Sequence, residues 1–313
     1  MVRVLYIAGS GRSGSTIVDN ILGQADGVVS VGEVRFLWER GVLGDRLCGC
    51  GEPFSTCPYW QPVMASVGGV DAARMARLLA RGTRARHVPW LLRARRDPAA
   101  VASRLEELPA VLGRLYAAIA ERAGARVIVD SSKLPPYGEV LRHVPGIDVS
   151  YVHLVRDPRA TAYSWSRAKP LPERDGGVMQ RQGAAKSAAL WTLWNGAAEG
   201  LWRGDRDRYL RVRYEDVIAD PRPALARMLA LVGEPADGLP FVSDHEVELR
   251  PTHGVAGNPS RFTTGVVALR ADAEWRNAMR TRDHALVGAI SWPLLLRHGY
   301  LGRAPAASPA ASP

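Results

Sequence analysis

The chain has 313 residues, of which 47% are hydrophobic and 23% are charged. These proportions are ordinary for a globular protein, so they exclude a disordered or fibrous chain and allow one large α/β domain. The net charge of +10 favours acidic ligands, nucleic acid or anionic membrane as partners, and charge alone does not choose among these classes.

We expect neither a membrane span nor a signal peptide in this sequence. No apolar run approaches the ~18 residues that a transmembrane helix needs, and residues 2–8 are too short for the apolar region of a signal peptide. We therefore expect a cytoplasmic protein. Residues 303–313 are mainly Ala, Pro and Ser, a composition that predicts a disordered tail after a single domain of residues 1–302.

Short β-branched runs alternate with longer amphipathic runs along the chain. This alternation predicts an α/β fold in which helices flank a mostly parallel sheet. The predicted strands are residues 2–8, 28–31, 126–129, 149–155 and 209–212. The predicted helices are residues 17–24, 98–123 with a break at Pro109, 134–143 and 159–167.

The first predicted strand leads into a glycine-rich loop, which reads G-S-G-R-S-G-S-T from Gly9 to Thr16. Glycines let backbone N–H groups converge, and the N-terminus of the following helix favours negative charge, so the loop predicts an anion site. The spacing is close to the G-x-x-x-x-G-K-[ST] loop of nucleotide triphosphatases, but Ser15 stands where the lysine should be. The cation is at Arg12 instead, where a guanidinium can bind anionic oxygens through two parallel hydrogen bonds.

The run from Arg12 to Thr16 resembles the 5'-phosphosulfate loop of the sulfotransferase superfamily, in the R-S-G-[ST]-[ST] form of its carbohydrate and tyrosylprotein branches. The resemblance implies a P-loop-like parallel sheet flanked by helices, the sulfotransferase fold. It implies that a sulfuryl group is transferred from 3'-phosphoadenosine 5'-phosphosulfate (PAPS), which leaves as the 3',5'-bisphosphate PAP, with no metal required. The loop residues implied to contact the donor are Gly11, Arg12, Ser13, Gly14, Ser15 and Thr16.

A second element follows the predicted strand 149–155. Arg156 comes at its carboxyl end, where open α/β sheets bind ligands, and Ser164 lies about two turns along the helix that Pro158 can start. The superfamily's signature for the 3'-phosphate is an Arg with a Ser eight residues later. The resemblance therefore implies that Arg156 and Ser164 bind this phosphate. The alternative is an Arg-Asp-Pro turn that caps a helix, with Ser164 at the surface.

Glu33 follows a short predicted strand and a glycine. A Gly-Glu pair at this distance from the loop resembles the tyrosylprotein and carbohydrate sulfotransferases, in which the Glu is the catalytic base. Such a base accepts the proton of the acceptor hydroxyl as the hydroxyl attacks sulfur. The alternative is a Glu that starts a helix over residues 34–41 and is stabilised by the helix dipole.

Lys133 is one of three lysines in the chain and follows the predicted strand 126–129. Its position resembles that of the family's second catalytic cation. The resemblance implies that the ammonium stabilises the bridging oxygen of the leaving phosphate, while Arg12 holds the sulfuryl oxygens. The alternative is an exposed residue at the start of a helix.

Two later segments resemble the family less specifically. The run Arg213-Tyr214-Glu215-Asp216-Val217 is similar to the R-Y-E-D-[LV] turn, in which the Tyr lies near the adenine. Residues 253–262 resemble the C-terminal segment that closes over the nucleotide. We expect donor contacts from Tyr214, Asn258 and Arg261, with simple packing at a strand end as the alternative for Tyr214.

All three cysteines of the chain, Cys48, Cys50 and Cys57, lie in one short segment. Structural zinc sites have four ligands, and these three cysteines leave one ligand missing, with no His nearby in the sequence. We expect reduced cysteines that pack an acceptor-side loop. A metal site and a regulatory Cys pair are the alternatives.

The acceptor is predicted only by class. The basic segment 81–96 and the loop 169–182 are long insertions between the donor motifs, so we expect them to shape the acceptor pocket. The expected acceptor is a hydroxyl of a carbohydrate or secondary metabolite of a bacterial cell, and no nucleic-acid partner is expected.

Two other function classes remain open. A nucleotide-dependent small-molecule kinase would need Mg²⁺ and a loop lysine, which Ser15 replaces. A non-catalytic nucleotide- or nucleic-acid-binding protein would need neither Glu33 nor Lys133.

Overall fold

A computed structural model of the chain describes residues 1–94, 103–168, 170–171 and 177–301. The predicted tail of residues 303–313 lies outside the described residues. So do residues 98–102 of the predicted helix 98–123, residues 95 and 96 of the basic segment, and Lys169 with residues 172–176 of the predicted acceptor loop.

Five parallel strands form the central sheet, in the order β2-β3-β1-β4-β5. The strands are β1 (Val2–Ala8), β2 (Val28–Ser30), β3 (Val127–Lys133), β4 (Ile147–Val155) and β5 (Tyr209–Arg213). Each predicted strand is confirmed to within a few residues, because its β-branched and aromatic side chains suit a buried pleated surface. With β1 at the centre and successive crossovers on both sides of it, the carboxyl ends of β1, β3 and β4 meet at one edge of the sheet.

Twelve helices with the following bounds accompany the sheet in the described part of the chain. They are α1 (Ser15–Leu22), α2 (Trp60–Val67), α3 (Ala72–Gly82), α4 (Val88–Ala94), α5 (Leu108–Ala123), α6 (Pro135–Arg142), α7 (Pro158–Ser166), α8 (Ala184–Trp202), α9 (Tyr214–Ala219), α10 (Pro221–Ala230), α11 (Trp275–Ala278) and α12 (Thr281–Arg297). Residues 103–105 are helical and residues 106–107 form a turn before α5, so the break predicted at Pro109 is confirmed to within a few residues. Pro109 itself lies in the first turn of α5, where its missing N–H is harmless.

Hydrophobic cores cover both faces of the sheet. Successive side chains of β1 point to opposite faces, so Val4 and Tyr6 pack with α2, α3, α5 and α6, while Leu5 and Ile7 pack with α1, α9 and α10. All four side chains are fully buried. The fold is therefore the predicted α/β arrangement, with a parallel sheet buried on both sides.

Two parts of the fold differ from the sequence prediction. The alternative interpretation of Glu33 predicted one helix over residues 34–41. The structure instead has a 3₁₀ turn (Val34–Phe36) followed by a π-helical turn (Leu37–Val42). A second, antiparallel sheet is built from β6 (Phe241–Ser243), β7 (Glu246–Leu249) and β8 (Gly265–Ala268). These strands have three or four residues each, too few for an alternating pattern to be recognised. Within the described residues, none of the helices has the length and apolarity needed to cross a membrane.

Two carboxylates are buried beneath the carboxyl edge of the sheet. Asp19 on α1 accepts a hydrogen bond from Ser30 Oγ at 2.7 Å, and burial raises the pKa of Asp19 to about 7. Asp130 on β3 accepts hydrogen bonds from Tyr116 and from the hydroxyl and backbone N–H of Ser132, and burial raises its pKa to about 6. The folded protein therefore holds protons on these acids at pH values where the unfolded chain has lost them.

We predict that the free energy of unfolding falls as the pH rises from about 4 to about 7. Both folded-state pKa values lie above the unfolded value near 3.9, so the folded state binds more protons in this window and is destabilised as they are removed. Asp19→Asn removes one of these ionisations and keeps an oxygen for Ser30. We expect the pH-dependent loss of stability in this variant to be smaller than in the wild type by about 2–4 kcal/mol.

Urea unfolding at pH 5 and pH 8 measures this difference. The exposed Asp244→Asn is the matched control, since it removes one carboxylate outside the core. Equal pH dependence in the wild type and Asp19→Asn would contradict the assignment of the raised pKa to Asp19.

Candidate active site

A cavity of about 510 Å³ opens where β1, β3 and β4 end. The structure brings most of the predicted site residues to its wall. These are Gly11, Arg12, Gly14, Ser15, Thr16, Glu33, Lys133, Arg156, Ser164, Tyr214 and Asn258. Of the remaining two, Ser13 is buried within the loop and Arg261 lies outside the lining.

The loop after β1 is shaped by close packing against its neighbours. Gly14 has φ +86°, and a Cβ there would lie 2.2 Å from the ring of Tyr214, so only glycine fits. The hydroxyls of Ser13 and Ser15 are buried and have no hydrogen-bond partner among the described residues. Buried polar groups are normally paired, so these hydroxyls, together with the start of α1 at Ser15, fit a bound anion.

Arg12 presents an unsatisfied guanidinium to the cavity. Its side chain is mostly buried against Trp165, with the guanidinium carbon 4.7 Å from the ring centroid. The Nη2 atom donates to Met179 Sδ at 3.2 Å, while Nε and Nη1 have no partner in the described part of the chain. Burial lowers the pKa of Arg12 and nearby Glu33 opposes this shift, but an arginine stays charged in proteins. Two donor atoms of a buried cation are therefore without a partner in the described residues, and donors of this kind bind anionic oxygens strongly.

Glu33 and Lys133 form an ion pair at the cavity wall. Lys133 Nζ donates to Glu33 Oε1 at 2.6 Å and to the carbonyl oxygen of Ser131 at 3.1 Å. Each charged side chain is 12% exposed, so the pair is largely shielded from solvent and open only to the cavity. Lys133 is therefore not the exposed residue at a helix start that the alternative described.

Backbone contacts fix both members of this pair. The N–H of Glu33 donates to the carbonyl oxygen of Val255 at 2.8 Å, and the N–H of Gly9 donates to the carbonyl oxygen of Lys133 at 3.0 Å. Lys133 has φ +69° and Arg12 has φ +68°, a left-handed conformation that side chains larger than glycine rarely adopt. Such strain is concentrated at functional sites, and here it falls on two of the cations that line the cavity.

Sequence reasoning missed the buried acid that supports Lys133. Asp130 Oδ1 accepts from the Ser132 hydroxyl at 2.5 Å, and the backbone N–H of Arg35 donates to that hydroxyl at 3.0 Å. Asp130 thus joins the end of β3 to the turn that follows Glu33. The signal was present, because an acid inside the apolar run V-I-V-D is costly unless it is paired.

Arg156 and Ser164 lie on the other side of the loop. Arg156 is 7% exposed, donates to the carbonyl oxygen of Arg12 at 3.2 Å and to Asp272 Oδ2 at 3.0 Å, and lies over the ring of Tyr214. Ser164 is 5% exposed and lines the cavity, so the alternative of a surface serine is wrong. The two residues that were predicted to act together do share one wall of the cavity.

The C-terminal loop carries two residues, Asn258 and Arg261, that were predicted to contact the donor. Asn258 lines the cavity, and its side chain also accepts from the N–H of Ser260. Arg261 donates instead to the carbonyl oxygens of Leu47 at 3.2 Å and Gly257 at 3.4 Å, and burial lowers its pKa to about 10. The 3₁₀ turn at Pro259–Phe262 places its guanidinium against the segment that carries the cysteines, and a donor contact by Arg261 stays a prediction.

The remaining wall is largely aromatic and apolar, and the sequence analysis named few of its members. It includes Phe36, Arg40, Trp165, Met179, Gln182, Leu190, Trp191 and Trp194. The predicted acceptor loop 169–182 supplies Met179 and Gln182. Residues 81–92 of the basic segment do not line the cavity, because α3 and α4 pack on other elements of the fold, so a part for this segment in the acceptor pocket stays a prediction.

Comparison with known proteins agrees with this geometry. Residues 5–238 match the model of the Sulfotransferase family. Among solved structures, the sulfotransferase domain from the curacin biosynthetic pathway is 16% identical, with 93% of this chain and 98% of that chain covered and a TM-score of 0.50. The sulfotransferase domain of the Synechococcus PCC 7002 olefin synthase is 21% identical, with 92% and 94% covered and a TM-score of 0.47.

No curated protein sequence matches the chain. The family model nevertheless spans well over half of the 313 residues and includes the loop, Glu33, Lys133, Arg156, Ser164 and Tyr214. The chain has the sulfotransferase fold and belongs to the sulfotransferase family of transferases.

Proposed function

We propose that the protein transfers the sulfuryl group of PAPS to a hydroxyl of a carbohydrate or secondary metabolite and releases PAP. The observation that carries the proposal is the Glu33–Lys133 ion pair, which lies in one cavity with the unsatisfied guanidinium of Arg12. A proton acceptor and two cations beside an anion-binding loop are what sulfuryl transfer needs.

The chain's own residues fit this donor. The hydroxyls of Ser13 and Ser15 and the start of α1 would hold the 5'-phosphosulfate, because their hydrogen-bonding capacity is unused. Arg156 and Ser164 would hold the 3'-phosphate, and the ring of Tyr214 would lie near the adenine. Electrostatic stabilisation by these cations requires no metal ion, in contrast to phosphoryl transfer from ATP.

Glu33 acts as the base of the reaction. It accepts the proton of the acceptor hydroxyl as the new oxygen–sulfur bond forms and the bond from sulfur to the phosphate oxygen breaks. Arg12 stabilises the sulfuryl oxygens, and Lys133 stabilises the phosphate oxygen that gains negative charge. Protonation of Glu33 also removes the charge that holds Lys133 at 2.6 Å, so the ammonium becomes free to follow the leaving oxygen.

The acceptor would lie against the aromatic wall. Trp165 and Trp194 are each partly exposed and line the cavity, and Phe36 also lines it, with the Arg40 guanidinium over its ring at 3.8 Å. Flat aromatic faces suit a sugar ring or the apolar body of a secondary metabolite, while Arg40 and Gln182 supply hydrogen-bond donors for its hydroxyl groups.

Two measurements test the proposal. Thermal-shift titration should show that PAP stabilises the protein and that ATP with Mg²⁺ does not, which separates this function from a kinase. Transfer of radioactive sulfur from labelled PAPS to a panel of sugars and hydroxylated metabolites then tests the reaction. Selective stabilisation by ATP with Mg²⁺ would overturn the proposed donor.

Asp272→Asn is expected to tighten PAP binding by about 3–10-fold. In the wild type, the carboxylate of Asp272 occupies one edge of the Arg156 guanidinium and would repel a 3'-phosphate at the same place. Isothermal titration calorimetry measures the change, with the exposed Asp237→Asn as the control of equal charge. Weaker binding by Asp272→Asn would show instead that the carboxylate holds Arg156 in its binding position.

A further inference from the structure

A second cluster of reactive side chains lies outside the cavity. Cys48, Cys50, Cys57 and His253 offer four potential ligand atoms that all lie within 4.8 Å of one another. The cysteines come from one segment and the histidine lies about 200 residues further along the chain. This histidine is the fourth ligand that the sequence analysis found missing.

The distances within the cluster agree with a tetrahedral metal site. A zinc ion binds sulfur at about 2.3 Å and histidine nitrogen at about 2.0–2.1 Å, so tetrahedral angles separate two sulfurs by about 3.8 Å and a sulfur from a nitrogen by about 3.6 Å. Cys50 Sγ and Cys57 Sγ are 3.7 Å apart, and His253 Nδ1 is 3.6 Å from Cys48 Sγ and 3.4 Å from Cys57 Sγ. A disulfide requires sulfurs about 2.05 Å apart, so the cysteines are free thiols in this geometry.

The segment that carries the cysteines is folded to bring their sulfur atoms together. The N–H of Cys48 donates to the carbonyl oxygen of Glu52 and the N–H of Gly51 donates to that of Cys48, which closes a tight turn around Cys50. A Cβ at Gly49 would lie 2.6 Å from the carbonyl oxygen of Thr252, so glycine is needed where this turn meets the histidine segment. The turn therefore has the form of a ligand loop rather than of ordinary core packing.

Two aromatic residues hold His253 in the orientation that a ligand needs. The ring of Tyr59 stacks on the imidazole at a centroid distance of 4.6 Å and an interplanar angle of 8°. Trp60 Nε1 donates to the carbonyl oxygen of His253 at 2.8 Å. Both the backbone and the ring of His253 are thus fixed, and Nδ1 is directed at the sulfurs.

The cluster connects directly to the active-site segment. Two residues after His253, Val255 pairs with Gly32, exchanges backbone hydrogen bonds with Val31 and Glu33, and leads to Asn258 at the cavity wall. A metal bound here would anchor the strand-like contact between Val255 and Gly32 to the segment that carries the cysteines. Arg261 also binds the carbonyl oxygen of Leu47 in that segment. The role of the metal would be structural, because none of the four ligands lines the cavity.

We propose that Cys48, Cys50, Cys57 and His253 form a structural zinc site. This site anchors the C-terminal loop, residues 253–262, beside Glu33. Three thiolates and one imidazole in a closed, four-ligand arrangement favour zinc over the oxygen-preferring cations. The proposal does not depend on the reaction or on the identity of the acceptor. The test therefore needs no activity measurement, and its failure would leave the proposed sulfotransferase reaction untouched.

The experiment measures metal in the full chain purified without chelator. We expect about one zinc ion per chain by mass spectrometry of the metal content. Exchange with Co²⁺ should produce the visible absorption of tetrahedral cobalt together with thiolate-to-cobalt charge transfer. The three thiols should react slowly with a thiol reagent until a chelator removes the metal, and removal should lower the melting temperature.

Variants identify the ligands. Cys50→Ser and His253→Asn should each lower the affinity for zinc by at least about tenfold, whereas His245→Asn, outside the cluster, should bind zinc as the wild type does. Wild-type protein that lacks metal, gives no thiolate-to-cobalt charge transfer and reacts at once with the thiol reagent would overturn the proposal even if a variant fails to fold. A disulfide between Cys50 and Cys57 in the purified protein would also overturn it and would favour a redox-sensitive pair.

Discussion

Glu33→Gln is expected to lower turnover with PAPS by about 10²–10⁴-fold while the affinity for PAP stays within a few-fold of the wild type. Glutamine has the size of glutamate but cannot accept the proton of the acceptor hydroxyl. The carboxylate lies in the cavity with only 12% of its side chain exposed, so bulk water is poorly placed to replace it. Single-turnover kinetics at saturating PAPS measures the chemical step, and calorimetry with PAP measures donor binding.

The matched control for this variant is Glu39→Gln. Glu39 lies six residues away on the π-helical turn and is exposed. Glu39→Gln removes the same negative charge as Glu33→Gln, but Glu39 does not line the cavity. Lys133→Met extends the test, because the base and the cation act in the same step. The effects of the two variants should then combine less than additively in the double variant. If Glu33→Gln keeps its turnover within threefold of the wild type, Glu33 is not the base that accepts the proton of the acceptor hydroxyl.

The fold could be predicted because the residue pattern within each of its main strands is sufficient to identify the strand. The runs V-R-V-L-Y-I-A and Y-V-H-L-V carry enough β-branched and aromatic residues to predict β1 and β4 without long-range information. A parallel sheet then brings the carboxyl ends of its strands to one edge. That single topological step explains why Arg12, Lys133 and Arg156, predicted separately from short motifs, line the same cavity.

The parts that could not be predicted depend on contacts between distant segments. His253 lies next to three cysteines that come about 200 residues earlier in the chain. No local sequence pattern predicts that residues so far apart meet in one cluster. The same holds for Arg261, whose motif predicted a donor contact but whose guanidinium binds the carbonyl oxygen of Leu47. The basic segment 81–96 was predicted to shape the acceptor pocket because it is a long insertion between the donor motifs, but its residues 81–92 do not line the cavity. The length of an insertion does not determine which wall of a cavity it reaches.

Truncation of Arg12 is expected to lower turnover by about 10²–10³-fold, with a smaller effect on PAP binding. Two donors of its guanidinium are buried and unpaired, so they are available to the sulfuryl oxygens, which PAP lacks. Removing them should therefore weaken stabilisation of the transition state more than binding of the product. Kinetics with PAPS and calorimetry with PAP separate the two effects, and Arg227→Ala, exposed on α10, is the control for lost positive charge.

The backbone of Arg12 makes a paired test possible. At φ +68° an alanine bears the same backbone strain as the wild-type arginine and glycine bears almost none, so Arg12→Ala and Arg12→Gly remove the same guanidinium, and glycine adopts this loop conformation more easily. Equal loss of turnover in both variants is the expected result, because the reaction then depends on the side chain alone. A loss confined to Arg12→Ala would attribute the effect to distortion of the loop, and it would contradict a direct role of Arg12 in sulfuryl transfer.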